Sequence, residues 1–146
     1  MTVDKTFYAS GFLYHPYTQK ILLQQSSSLP SFMSPWSLFS TECKENEEAG
    51  GVFKHIIFDL LRVKIAAIDN IYSYFNEKTS KDHVVVYSVL EKLQDFPAKN
   101  NSVFAWFSFK DILKLHINDQ VRHDIIVGQR VILASERKNR GEYTFQ

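Results

Sequence analysis

His55 and Asp59 stand four residues apart in a stretch with helical spacing, so they share one face of a helix. Imidazole and carboxylate both ligate transition metals, but two donors make no firm site. The plain reading is a His–Asp hydrogen bond on a partly exposed face. Glu47 sits at the end of the acidic run 42–48. A glutamate ahead of a helix complements the positive end of its dipole, as Glu45 and Glu48 also would. Glu91 follows a valine-rich segment and reads as a solvated strand-end carboxylate. His123 and Asp124 are neighbours on a predicted helix, where adjacent side chains do not face each other, so no dyad is expected. Cys43 is the single cysteine, with only Lys44 as a cationic neighbour. It reads as an ordinary thiol. No intrachain disulfide can form, which points to a reducing, cytoplasmic compartment.

Tyr8, Tyr14, Trp36, Tyr74, Tyr87 and Trp106 could stack on a nucleobase, although such residues more often fill cores and sheet faces. No basic stripe accompanies them, and 17 basic against 16 acidic residues leave a net charge of +1. A nucleic-acid groove is therefore not expected. The length of 146 residues suits one domain, with a core over residues 5–135 and a polar tail over 137–146. Hydrophobic residues at 45% supply enough apolar side chain to close a core. The start of the chain has no basic segment followed by an apolar run, so no secretory signal is expected. No apolar stretch approaches the ~20 residues that span a bilayer.

The elements that must position these residues follow from patterning. Residues 6–14 and 19–25 read as two strands around the turn at His15, Pro16, Tyr17 and Thr18. Residues 26–35 hold five serines and two prolines and read as a loop. Trp36 to Phe39 alternates like a short extended segment. Val52, Ile56, Leu60 and Val63 form a helical stripe that Phe53, Ile57 and Leu61 widen. Gly50 and Gly51 place the firm part of that helix after them. Residues 66–75 and 83–90 read as antiparallel strands, and 103–107 as another. Ser108 and Asp111 form a capping-box pattern opening a helix to about His116. Asn118 or Asp119 caps a final helix with Val121, Ile125, Val127 and Ile132 among its core positions. Gly128 marks close packing against another element. Residues 137–146 are expected to fray. The fold class is α/β (α+β), a largely antiparallel mixed sheet flanked by helices.

In this order of elements the chain resembles the Nudix hydrolases. Their signature runs Gly, five residues, Glu, seven residues, Arg-Glu, an aliphatic, one residue, Glu-Glu, one residue, Gly and an aliphatic. Laid on it, Thr41 takes the first glycine position and Glu47 keeps the first glutamate. His55 stands for arginine, Ile56 for the next glutamate, and Ile57 keeps the aliphatic. Asp59 and Leu60 stand for the paired glutamates, Arg62 for the last glycine, and Val63 keeps the last aliphatic. Trp36-Ser37-Leu38 is similar to the strand before the signature, and 103–108 to the late strand that runs into a capped helix.

The resemblance implies water attack on a diphosphate assisted by divalent cations. Mg²⁺ wants several oxygen ligands, and positions 56, 59 and 60 share a helix face. One carboxylate of three remains there. Ser40 and Thr41 stand where glycines would allow close phosphate approach. The expectation is a Nudix-like protein with a degenerate metal site and no bound cofactor, working as a binding or interaction module for a nucleotide-like molecule or a protein partner, with a homodimer left open. The alternative is a divergent hydrolase of nucleoside diphosphate-linked compounds, using Mg or Mn. Asp59 would then hold the metal with help from Glu47, His55 or Glu91, the last because some Nudix proteins use a late acidic residue.

Overall fold

The computed structural model describes residues 5–141. The strands are β1 (Thr6–His15), β2 (Lys20–Ser26), β3 (Trp36–Ser37), β4 (Phe39–Lys44), β5 (Asp69–Asn76), β6 (Lys81–Val89) and β7 (Ser102–Ser108). The helices are α1 (Ala49–Leu61), α2 (Phe109–Ile112) and α3 (Asp119–Asn139). They form a mixed α+β structure around one seven-stranded sheet. The path runs β3-β2-β1-β6-β5, with β4 beside β1 and β7 beside β2. Pairings are antiparallel except β1 with β6, which is parallel from Tyr8↔His83 to Tyr14↔Val89.

Side chains alternate across a strand, so the sheet buries two separate cores. Phe12, Tyr14, Ile21, Leu23, Val85 and Tyr87 pack on one face with Ile125 and Ile132 of α3. Leu13, Leu22 and Val86 pack on the other with Phe53, Ile57 and Leu61 of α1. Gly11 sits where β1 is crowded: an added Cβ would lie 2.5 Å from the Val86 carbonyl oxygen and 2.9 Å from the Phe53 ring. Gly128 does the same for α3, at 3.0 Å from both Ile71 and Phe12, so the close packing read from the sequence is present.

Several expectations need correcting. A strand, β4, runs from Phe39 to Lys44, past the point where the short extended segment from Trp36 is expected to end. Its Phe39 and Cys43 are buried while Ser40, Glu42 and Lys44 face outward, and Ala9↔Thr41 and Ser10↔Ser40 are register partners. Helix α1 begins at Ala49 and takes in both glycines. Glycine's cost is backbone entropy and applies to helix interiors, and both residues lie in the first turn. It ends at Arg62, a left-handed residue with φ 58°, so Val63 to Ile65 lie beyond it. Helix α2 stops at Ile112, short of His116. Its capping box is complete, but the following carbonyls serve tertiary partners: Arg122 donates to Ile112 and Leu115, and the Trp36 amide to His116. Helix α3 continues through Asn139, so the tail starts later than expected, and residues 142–146 lie outside the described residues.

Candidate functional site

The two faces of the sheet offer different chemistry. On the α1 face, the side chains singled out from the sequence stay near solvent. His55 Nε2 pairs with Asp59 Oδ2 at 3.2 Å, with side-chain exposures of 76% and 54%. Glu47 turns back on its own loop, where its Oε1 accepts the Lys44 amide at 2.8 Å. Glu91 follows β6 and is exposed, and its backbone carbonyl accepts from His15 Nε2 at 3.1 Å. Among the described residues no three His, Cys, Asp or Glu side chains gather as a metal-holding group. Ile56 and Leu60 are half-buried and pack against the α1-side core, as do Phe96, Phe104 and Trp106. The segment between β6 and β7 crosses this side. Trp106 Nε1 donates to the Gln94 carbonyl at 2.8 Å, and Lys99 Nζ donates to the Asp59 carbonyl. The donors here make a poor match to a hard cation, which needs several oxygens converging in an open, wet site. Positions 56 and 60 supply hydrocarbon instead.

The α3 face holds a cavity of about 250 Å³ under the start of α3, with Tyr8, Ser10, Ser40, Tyr74, His83 and Asp124 in its lining. Strand register builds its floor. Tyr8 and Tyr74 are both register partners of His83, from β1 and β5 on either side of β6. The three rings therefore form a row, with centroids 5.0 Å and 5.2 Å apart. Lys81 Nζ lies 5.4 Å above the Tyr8 ring and pairs with Glu42 at 3.1 Å at the edge. The wall is Asp124, 3% exposed. Tyr72 Oη donates to its Oδ1 at 2.5 Å, and Gln120 Nε2 donates to the same oxygen at 3.0 Å.

Burial governs the titration of this group. Desolvation pushes the Asp124 carboxyl above its ordinary range, and the Tyr72 and Gln120 hydrogen bonds work against that rise. Desolvation also pushes the Tyr74 phenol up to about 12, and raises Tyr72, whose bond to Asp124 adds to the rise. Desolvation lowers His83, against the pull of Asp124 and Asp82. At neutral pH the cavity thus presents protonated phenols and a neutral imidazole beside one buried carboxyl group. The rings lean on one another at 43° and 26°, so the floor is a tilted row and not a plane, and with the polar wall it suits a small ring with hydrogen-bonding edges. The volume is close to the lower limit for small-molecule pockets, about 300 Å³, so it admits a planar ring system more readily than a whole nucleotide.

Sequence reasoning set Asp124 aside because His123 cannot face it. That geometry is right, since His123 is exposed, but it tested the wrong partner. Asp124 lies on the stripe with Val121, Ile125, Gly128 and Ile132, and a carboxylate inside an apolar stripe was the available signal. The six aromatics divide. Tyr8 and Tyr74 line the cavity, Tyr14 and Tyr87 are core, and Trp36 and Trp106 are half-buried packing residues. Cys43 is buried, and burial raises its thiol pKa. No helix among the described residues is long and apolar enough to cross a membrane.

No family model matches the chain, and no curated protein matches it in sequence. Solved structures do match. The Nudix domain of Shewanella oneidensis NrtR, complexed with ADP ribose, is 17% identical, with 90% of each chain covered and a TM-score of 0.66. A C. elegans Ap4A hydrolase is 13% identical, covering 87% of this chain and 98% of that one, with a TM-score of 0.67. The C-terminal domain of mouse MUTYH, solved with human PCNA, is 10% identical over 97% and 94%, with a TM-score of 0.67. Identities this low speak for architecture alone, and the architecture agrees with the element order throughout: this chain has the Nudix fold.

Proposed function

We propose that this Nudix-fold protein is a binding module that has given up cation-dependent hydrolysis and receives the planar end of a nucleotide-like ligand in the cavity between the sheet and α3. The observation that carries this reading is the state of Ile56 and Leu60. Both are half-buried on the α1-side core, where a hydrolytic site would need carboxylates and water. The ligand class is supported by the Tyr8–His83–Tyr74 row and by Asp124, whose two hydrogen bonds both end on Oδ1. Oδ2 is then the atom to accept from a ligand N–H. The NrtR domain, solved with ADP ribose, shares the fold.

Titration calorimetry with ADP ribose and simpler nucleoside diphosphates, in the presence of a chelator, tests the binding half. Micromolar binding that weakens about tenfold in Tyr74→Ala is expected, from loss of stacking worth about 1–3 kcal/mol. The hydrolytic half is tested by monophosphate or phosphate release from the same compounds with Mg²⁺ or Mn²⁺. Turnover that disappears in Asp59→Ala would sink the inactive reading and favour the divergent hydrolase.

A further inference from the structure

The outward face of α1 is charged in two opposite halves. At its N-terminal end stand Glu47 and Glu48, both exposed. Beyond its C-terminal end stand Arg62 and Lys64, also exposed. Between them stand Lys54, which donates to the Ala66 carbonyl, and the His55–Asp59 pair, with a gap at exposed Gly51, where an added Cβ meets nothing within 4 Å. One turn further on, the Phe58 ring is 36% exposed, with the Arg62 guanidinium 5.3 Å from its centroid. A shallow acidic hollow of about 290 Å³ borders Glu47, Glu48, Gly51 and His55. A basic one of about 420 Å³ borders Gly51, Lys54, Phe58 and Lys64. The two hollows meet at Gly51 and His55.

We propose that this face is a self-complementary docking surface for a second copy of the chain, with two α1 helices packed antiparallel about a twofold axis at Lys54 and His55. A twofold interface brings the same patch together from both copies, so any contact between i and j occurs twice. With the axis there, Glu47 of one copy faces Arg62 of the other, and Gly51 faces Phe58. The bare glycine is the hole and the exposed ring is the knob. Charge complementarity selects this occupant: with Asp59 paired to His55 and Lys54 turned onto the Ala66 carbonyl, the remaining charges are Glu47 and Glu48 at one end and Arg62 and Lys64 at the other, and the surface that answers them is the same helix reversed. Antiparallel dipoles add to the attraction. This inference does not depend on the ligand reading, since the sheet–α3 cavity lies on the opposite face.

Sedimentation velocity on the full chain, from about 1 to about 500 μM, is expected to show a monomer–dimer equilibrium in the micromolar range typical of small interfaces. Two charge-reversed proteins test the surface: one with Glu47→Lys and Glu48→Lys, the other with Arg62→Glu and Lys64→Glu. Each alone should dimerise at least about tenfold more weakly, and an equimolar mixture should recover a mixed dimer. Circular dichroism checks that both fold. Should either fail, the wild-type dimer carries the test, through a dissociation constant that rises about tenfold between 50 and 500 mM salt. A wild-type protein monomeric throughout, a dimer insensitive to salt or to both reversals, or folded variants that fail to associate on mixing would overturn the proposal.

Discussion

The two faces of the sheet are each closed by one long helix, yet they hold polar groups in different ways. Against α1 the interior is mostly hydrocarbon, with His15 held by Thr18 and the Glu91 carbonyl and Ser88 by the Ala67 carbonyl, and the ionisable side chains of the helix itself stay at the rim, His55 and Asp59 foremost. Against α3 a carboxyl, three phenols and an imidazole lie in or beside the core, held by one another. Burying polar groups is costly unless they are paired. The α3 face gathers its titratable groups into one mutually bonded cluster, whereas the buried polar groups of the α1 face are held singly by backbone carbonyls and Thr18. The α1 face, which carries the motif positions, is the quieter of the two in this electrostatic sense.

The largest effect should come from breaking the quiet face. Phe53→Ala removes a fully buried ring and is expected to cost about 3–5 kcal/mol in urea unfolding. If the faces are independent, ligand affinity at the α3 cavity stays unchanged in the protein that remains folded. The two helices' glycines give a second contrast. Gly128→Ala forces a methyl against Phe12 and Ile71 and should cost about 1–3 kcal/mol. Gly50→Ala, in ordinary contact with Ile68, should instead stabilise by about 0.5 kcal/mol. Equal signs would mean that the helices are not packed as differently as described.

Next comes Tyr72→Phe, which strips one of the two donors from Asp124 and should cost about 1–2 kcal/mol. The pH dependence of melting then separates Asp124 from His83. Folding raises the Asp124 pKa from 3.8, so the native state holds that proton more tightly than the unfolded chain. Its contribution is whole below 3.8 and is lost as pH rises through the folded value. Folding lowers His83 from 6.5, so its contribution is whole above 6.5 and is lost as pH falls toward the folded value. The two slopes oppose each other in the mildly acidic range. Asp124→Asn should leave a protein that loses stability on acidification below 6.5, and His83→Gln one that gains it. A smallest effect is expected at the rim: Asp59→Ala should change stability by no more than about 0.5 kcal/mol, as exposed ion pairs do.

Much of the fold could be read along the chain because period and punctuation agreed. The β1–β2 hairpin, the β5–β6 pair, the capped α2 and the tight packing at Gly128 follow from local signals that tertiary contacts reinforced. β4 was hidden because its inward positions are Phe39, Thr41 and Cys43, and charges on the outward side masked the alternation. The end of α2 was hidden because distant donors, Arg122 and Trp36, take the carbonyls that follow it. The α3 cavity was illegible for a similar reason. Its floor is assembled by register between Tyr8, His83 and Tyr74, three residues that no local window joins.

The position of β1 also has a kinetic side. This strand touches β2 and β4, which follow soon after it, but its whole parallel edge waits for β6, with Tyr8 opposite His83. Such long-range pairing closes a large loop before it returns any contact energy, and chains built this way reach the native state slowly. Until β6 arrives, the β1–β2–β4 unit presents an open edge rich in Phe12, Leu13 and Tyr14. Recovery from denaturant should therefore worsen with protein concentration, as intermolecular pairing along that edge competes with completion of the sheet.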